Sequence, residues 1–199
     1  MKALWVYTKA FTPEECKWIV ETVKKEKPSW ARTGGTPTLE QTFNHRRSKV
    51  FWINQEHPKL GYLLTKVWNV ITPINNQFFG AHLMELPPLQ FTQYSEKYQG
   101  EYKIHQDLNW LDIDDEHTNV YRKGFQRKVS CVIQLSDPKD YDGGEFEFGG
   151  EVNDKPPQHV IKEQGTLFTF PSFIHHGVRP VTRGTRYSLV GWFEGPPWR

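Results

Sequence analysis

The feature that most limits the fold of this chain is a change in the spacing of its apolar residues near residue 83. From there on, apolar residues recur at every second position within short segments separated by glycine, proline, aspartate and asparagine. Alternation of this kind is typical of half-buried β-strands. Strands are predicted at residues 89–94, 101–106, 128–136, 145–148, 158–162, 166–170, 177–181 and 186–193. Eight short strands after a helical region predict a mainly β fold with supporting α-helices, a double-stranded β-helix or jelly roll.

The region before residue 83 predicts elements that pack against this core. Thr12-Pro13-Glu14-Glu15 is a capping box with proline at the first helical position, so a helix is expected to run to about Lys25. The other predicted elements are a strand at residues 5–7, a polar loop at 27–42, a strand near 47–53 and a helix at 58–79 interrupted at Pro73. At 199 residues the chain suits one domain, with support at about 1–82 and the jelly roll at about 83–194.

Composition and sequence indicate which binding partners and which cellular compartment to expect. With 25 basic and 23 acidic residues, the net charge of +2 gives no electrostatic reason to expect nucleic acid. The chain has neither an apolar stretch long enough to span a membrane nor the apolar core of a signal peptide. Cys16 and Cys131 stand far apart among apolar neighbours, so both are expected to be reduced and buried. We expect a cytoplasmic protein with no nucleic-acid or membrane partner, and the oligomeric state stays open.

A metal site is predicted from His105-Gln106-Asp107 and His175-His176. Positions i and i+2 of a strand share a face, so His105 and Asp107 are expected to point into one cavity. Two histidines and one carboxylate leave three positions of an octahedron open, which is typical of non-haem Fe(II) oxygenases rather than structural zinc. His175 and His176 face opposite ways on a strand, and the spacing to a later arginine favours His176. Each histidine, taken alone, has an ordinary explanation without metal.

That later arginine is Arg186, ten residues after His176 and beyond the turn Thr182-Arg-Gly-Thr. A hairpin is predicted here, which would return the planar guanidinium to the metal site, where it suits a carboxylate. With these motifs, residues 83–194 resemble the prolyl 4-hydroxylase branch of the iron(II) and 2-oxoglutarate dependent dioxygenases. The resemblance implies that His105, Asp107 and His176 bind Fe(II) and that Arg186 holds the far carboxylate of 2-oxoglutarate.

The resemblance also implies further roles. The tyrosine that assists Arg186 matches Tyr94, although two extra residues before His105 leave Tyr98 as an alternative. Tyr102, Arg127 and Trp192 match residues that line the substrate groove in relatives acting on proline-rich peptides; each is also explained as an ordinary strand residue, surface charge or core ring. Trp110 belongs to a long loop at residues 108–126, which is predicted to be a lid.

The implied activity is hydroxylation of prolyl residues in a peptide or protein, with succinate and CO2 as co-products and ascorbate as reductant. A free amino-acid hydroxylase of the same superfamily is the alternative, with a smaller and more polar pocket. A nucleic-acid demethylase is less favoured, because Trp192-Phe193 stand where those enzymes have a second arginine. A non-catalytic jelly-roll binding module would not need Arg186.

Overall fold

Two antiparallel β-sheets form the centre of the protein, seen here in a computed structural model that describes residues 3, 5–33, 38–108, 124–150 and 157–198. The strands are β1 (Val6–Lys9), β2 (Ser29–Trp30), β3 (Arg46–Arg47), β4 (Lys49–Ile53), β5 (Leu89–Ser95), β6 (Glu101–His105), β7 (Gln126–Gln134), β8 (Tyr141–Gly143), β9 (Phe146–Phe148), β10 (Thr166–Pro171), β11 (His176–Val178) and β12 (Val181–Gly195). The helices are α1 (Pro13–Lys24), α2 (Leu39–Phe43), α3 (Tyr62–Ile74) and α4 (Gln158–Ile161).

The main sheet has the order β1-β10-β7-β12-β5-β4-β2, with β8 paired to β12, and the smaller sheet has the order β3-β6-β11-β9. One apolar cluster joins strands of both sheets and includes Tyr94, Val132, Phe146, Phe170 and Val178. Aromatic and branched side chains from facing sheets fill the space between them, as in other jelly rolls. The predicted fold class is therefore confirmed.

A second apolar cluster joins the helices to the main sheet. Helix α1 begins as its sequence predicts: the Thr12 hydroxyl accepts a hydrogen bond from the Glu15 amide at 3.2 Å, and the Glu15 carboxylate accepts one from the Thr12 amide at 2.9 Å. Its apolar face includes Ile19 and Val23, both fully buried in this cluster. Lys66 of α3 donates to Glu15, which links the two helices. These helices support the sheet that carries the site.

Three predicted elements differ from the structure. The strand predicted at residues 158–162 is wrong: this segment is the short helix α4, which follows Pro157, and five residues are too few for apolar period to separate strand from helix. Helix α3 continues through Pro73 and passes into a π-helical turn at Asn75–Phe79. The polar segment 27–42 contains the paired strand β2 and the start of α2.

The predicted hairpin before Arg186 is also wrong. Strands β11 and β12 lie in different sheets, and β12 is one continuous strand of 15 residues whose first residues pair with β8. Gly184, at φ 71°, lies within that pairing, and a Cβ there would stand 2.1 Å from the carbonyl oxygen of Asp140. The chain therefore crosses from one sheet to the other between His176 and Arg186, so facing sheets bring the two residues together.

Cys16 and Cys131 are both buried and free, as predicted. Within the described residues, every helix is too short or too polar to cross a membrane.

Candidate metal centre and substrate cavity

Three potential metal ligands meet at one end of the space between the sheets. His105 and His176 are directly opposite in the pairing of β6 with β11. Asp107 lies two residues beyond His105, with its Oδ1 3.5 Å from His105 Nε2 and its Oδ2 3.3 Å from His176 Nε2. The ligand atoms of the three residues all lie within 4.8 Å of one another. One ion in their midst would contact one atom from each residue.

Hydrogen bonds set the orientation of both imidazoles. His105 Nδ1 lies 2.8 Å from the carbonyl oxygen of Lys103, and His176 Nδ1 lies 2.8 Å from the carbonyl oxygen of Ile174. Because a carbonyl only accepts, each Nδ1 carries the proton and each Nε2 keeps its lone pair. Backbone carbonyls orient many metal-binding histidines in the same way. Both lone pairs are therefore available on the side where Asp107 lies.

The backbone and two serines hold the Asp107 carboxylate. Contrary to the sequence expectation, Asp107 lies past the end of β6, and its amide donates to the carbonyl oxygen of Ser172 at 3.0 Å. The hydroxyl of Ser130 donates to Asp107 Oδ2 at 2.7 Å and lies 2.9 Å from the hydroxyl of Ser172. Ser130 on β7 of the facing main sheet thus fixes the carboxylate, although Asp107 lies outside β6.

Electrostatics favour the metal-binding forms of these groups. Burial by itself would raise the pKa of Asp107, but the His176 and His105 imidazoles beside it, in their protonated form, hold that pKa well below its usual range. Burial lowers the pKa of His105. At neutral pH the cluster therefore holds an ionised carboxylate beside a neutral imidazole. That donor set fits a divalent ion such as Fe(II) with part of its coordination open.

Arg186 lies in the same cavity. Its side chain is 2% exposed, and Arg186 is opposite Tyr94 in the pairing of β12 with β5, with its guanidinium carbon 5.7 Å from the centre of the Tyr94 ring. Tyr94 and Arg186 line the cavity together with the three potential metal ligands. Tyr98 instead donates its hydroxyl to the carbonyl oxygen of Gln93 and packs against Trp30. Of the two tyrosines considered, only Tyr94 lines the cavity.

The rival histidine faces away from this cluster. His175 is exposed, whereas His176 is 5% exposed. His175 lies one residue before the start of β11, outside the pairing with β6 that brings His176 opposite His105. The geometry therefore supports His176 as the third ligand.

Two of the residues predicted for the substrate groove line the cavity. The Tyr102 ring stacks on the His105 imidazole with ring centres 3.6 Å apart, and burial raises the pKa of Tyr102 to about 12, so its phenol stays protonated. Trp192 also lines the cavity. Arg127 is not among the residues that line it, and its guanidinium carbon lies 4.1 Å from the centre of the Trp192 ring. Trp110 and most of the predicted lid lie outside the described residues.

Two further residues reach this site from the region before residue 83. Arg46 of β3 lines the cavity. Trp52 of β4 is half exposed, aligned with the cavity residue Gln90, and its ring centre lies 6.0 Å from that of Trp192. The sequence does not single out either residue, because β3 is two residues long and the alternation at 47–53 predicts a strand without showing what it faces.

A jelly roll with two histidines and one carboxylate converging beside a buried arginine defines a class of metal-dependent oxygenases. Residues 89–194 match the family model described as the 2OG-Fe(II) oxygenase superfamily. The match covers more than half of the chain and includes all three potential ligands and Arg186. The chain belongs to this superfamily.

Relatives and solved structures agree with that assignment. A PKHD-type hydroxylase of Xylella fastidiosa (strain M12) is 33% identical over 113 residues, covering 56% of this chain and 46% of the relative. The chain thus spans about half the length of that curated relative. A Pseudomonas putida prolyl-4-hydroxylase matches with a TM-score of 0.67 and 20% identity over 98% of this chain and 94% of the other. A Trichoplax adhaerens prolyl hydroxylase, solved with a hypoxia inducible factor peptide fragment, matches with a TM-score of 0.70 and 17% identity over 96% and 83%. These two structures show the fold.

Proposed function

We propose that this protein is an Fe(II)- and 2-oxoglutarate-dependent dioxygenase that hydroxylates prolyl residues in a peptide or protein. The observation that carries the proposal is the shared cavity, in which the three potential metal ligands lie beside Arg186 and Tyr94. When bound, iron and 2-oxoglutarate would supply the oxidation by dioxygen, in which one oxygen atom enters succinate as CO2 is lost and the other enters a C–H bond of the substrate.

In this proposal, His105, Asp107 and His176 hold Fe(II). The two Nε2 lone pairs and the Asp107 carboxylate supply three ligand atoms. Ser130 keeps one Asp107 oxygen in place through its hydroxyl hydrogen bond, and a partner of this kind tunes metal affinity. These contacts fix the metal ligands before the substrate arrives, which is what a rapid oxidation requires.

Arg186 and Tyr94 bind the far carboxylate of 2-oxoglutarate. A buried guanidinium offers two parallel donors to a carboxylate, and a phenol adds a third. Burial strengthens this contact, because Arg186 is 2% exposed and little water competes. The same burial makes the site selective for an anion, since an uncharged ligand would leave the arginine charge unpaired.

The substrate groove runs over Tyr102 and Trp192. Both rings are aromatic surfaces suited to a pyrrolidine ring, and a polyproline II segment is already extended, so docking costs little conformational entropy. The indole of Trp192 lines the cavity, and the Arg127 guanidinium carbon lies 4.1 Å from its ring centre, so Arg127 is proposed to support that ring. Trp110 is proposed to cover this segment.

The second candidate is hydroxylation of free proline or a similar amino acid, and one observation favours it. Arg46 places another buried cation at the cavity, and a free amino acid always carries a carboxylate. The metal and 2-oxoglutarate contacts are the same in both candidates. We further propose that ascorbate keeps the iron reduced and that the protein works in the cytoplasm, where thiols such as Cys16 and Cys131 stay reduced.

Mass spectrometry tests the activity. The protein is incubated with Fe(II), ascorbate, 2-oxoglutarate and a panel of proline-rich peptides, with free proline as a separate sample. We expect one added oxygen on a prolyl residue and an equal amount of succinate. The matched control is Asp107→Ala, which should give neither product. Oxidation of free proline with every peptide untouched would establish the second candidate instead, and the absence of succinate from all samples would refute the proposal.

A further inference from the structure

Arg46 is the buried cation of the cavity to which neither the family resemblance nor the proposed reaction assigns a task. It belongs to β3, outside the residues 89–194 that match the superfamily, and is 5% exposed. Its Nε donates to the hydroxyl of Ser48 at 2.7 Å, and its guanidinium carbon lies 4.6 Å from the centre of the Tyr102 ring. The side chain is thus held from two sides.

The charge of Arg46 is not paired within the described part of the chain. No carboxylate of the described residues lies within 4.0 Å of its guanidinium nitrogens. Its neighbour Arg47, in contrast, pairs with Glu101 at 2.7 Å. A buried charge without a counter-ion is costly and rarely kept for packing. An anionic ligand would remove that cost.

The position of Arg46 indicates which ligand this is. Tyr102 stacks on His105 with ring centres 3.6 Å apart, and Arg46 stacks on Tyr102. Arg46 is therefore one aromatic ring away from a potential metal ligand, on the side of the groove proposed for the substrate. Arg186, which is proposed to bind 2-oxoglutarate, lies on β12 in the opposite sheet. The two arginines thus enter the cavity from facing sheets.

We infer that Arg46 binds a carboxylate of the substrate, close to the carbon that is hydroxylated. The inference rests on the proposed function and makes it narrower: the oxidised proline is either itself a free or C-terminal residue, or lies next to an acidic residue. A neutral peptide carbonyl would leave the charge of Arg46 unbalanced, whereas a carboxylate matches both its charge and its planar fork.

Matched ligand pairs test this inference by binding, without turnover. Isothermal titration calorimetry is run on protein loaded with 2-oxoglutarate and with Mn(II) in place of Fe(II), which removes oxidation from the measurement. The pairs are proline and prolinamide, Ala-Pro and its amide, and Ala-Pro-Glu-Ala amide and Ala-Pro-Gln-Ala amide. The first two pairs report a main-chain carboxylate of proline and the third an acidic neighbour.

The wild-type protein should bind the carboxylate member of at least one pair about tenfold or more tightly, as expected for a charge-assisted contact. Arg46→Gln should abolish that preference, and Arg46→Lys, which keeps the charge but loses the fork, should keep part of it. The affinity for 2-oxoglutarate should not change in either variant. The matched control is Arg179→Gln, which removes an exposed arginine paired with Glu147 and should keep the full preference.

Two results would overturn the role of Arg46: no carboxylate preference in the wild-type protein for any pair, or a preference that Arg46→Gln retains. If Arg46→Gln does not fold, Arg46→Lys replaces it in the test. Lysine lacks the planar guanidinium, so an unchanged preference for the carboxylate ligand in this variant would contradict the proposed contact. Oxygen transfer to the same ligands, measured separately with Fe(II), tests the proposed function. An Arg46-dependent preference without hydroxylation of proline would refute the proposed function alone.

Discussion

Replacing Arg186 with methionine should separate binding of 2-oxoglutarate from folding. Methionine is unbranched and fills the volume of the arginine stem, so packing in the cavity is largely kept. The guanidinium is lost, and with it the proposed contact to the far carboxylate of 2-oxoglutarate. We expect a higher KM for 2-oxoglutarate and an unchanged affinity for the metal, because Arg186 contacts none of the three potential ligands through a hydrogen bond or ion pair within the described residues.

The size of the effect follows from the burial of Arg186. A hydrogen bond to a charged group contributes about 1.5–3 kcal/mol, and each ~1.4 kcal/mol is a factor of ten. The exposure of 2% puts this contact at the upper end of that range, because water screens it little. KM for 2-oxoglutarate should therefore rise by about 10- to 100-fold.

Although Arg186→Met should weaken binding of 2-oxoglutarate, it should not lower the thermal stability of the protein without this ligand. Within the described residues no carboxylate pairs with Arg186, so in the absence of 2-oxoglutarate the folded protein bears the cost of a buried charge. Arg186→Met removes that cost, and Tm without 2-oxoglutarate should be equal to or higher than that of the wild-type protein. A site that costs stability in exchange for ligand binding is a common pattern.

Succinate release at varied 2-oxoglutarate and thermal unfolding with and without 2-oxoglutarate measure both effects. Arg183→Met is the matched control, since Arg183 is on the same strand but more than half exposed, where it pairs with Asp142. Its KM should match that of the wild-type protein. A larger rise in KM for Arg183→Met than for Arg186→Met would refute the assignment. A fall in Tm of several degrees for Arg186→Met would refute the stability argument.

Three further predictions concern the metal cluster. Asp107→Ala should abolish Fe(II) binding and succinate release while the far-ultraviolet circular dichroism stays native, and normal succinate release would contradict the ligand assignment. Gly177→Ala should weaken Mn(II) affinity and lower Tm, because its Cβ would lie 2.8 Å from the carbonyl oxygen of Tyr102 across the strand pair that carries both histidines; titration calorimetry showing native affinity would exclude this. Since burial lowers the pKa of His105 from 6.5, its neutral form persists above that pH, and Mn(II) affinity should decline only below about pH 6.5 rather than between pH 8 and 7.

The parts of the fold that the sequence predicts best are those with local signals. The capping box at Thr12 defines the start of α1 by contacts within four residues, and the structure has both hydrogen bonds. The long strands β5, β7 and β12 contain enough alternating residues for their period to be read. His105 and Asp107 are close because they are close in sequence, and this holds even though Asp107 lies past the end of its strand.

The features that the sequence does not predict depend on contacts between strands that are far apart in the chain. The path from His176 to Arg186 was expected to be a hairpin, but the chain crosses between sheets, and ten residues suffice for either route. Arg46 reaches the cavity because β3 pairs with β6, and Trp52 reaches Trp192 because β4 pairs with β5. These pairings join residues far apart in sequence, such as Ile53 with Leu89 and Arg46 with Tyr102, and no local pattern encodes them. The spacing of apolar residues therefore predicts only that the region before residue 83 packs against the jelly roll.

The location of Arg46 and Trp52 bears on how specificity is built in this chain. The matched region 89–194 contains all the residues proposed to bind the metal and 2-oxoglutarate, which every enzyme of this chemistry must hold in a similar geometry. The two residues from β3 and β4 lie over Tyr102 and beside Trp192, the two rings proposed to contact the substrate. A change at Arg46 or Trp52 can therefore alter the preferred substrate without disturbing the oxidation. By the same reasoning, residues 89–194 contain the residues proposed for the reaction but leave out Arg46, which we propose helps to select the substrate.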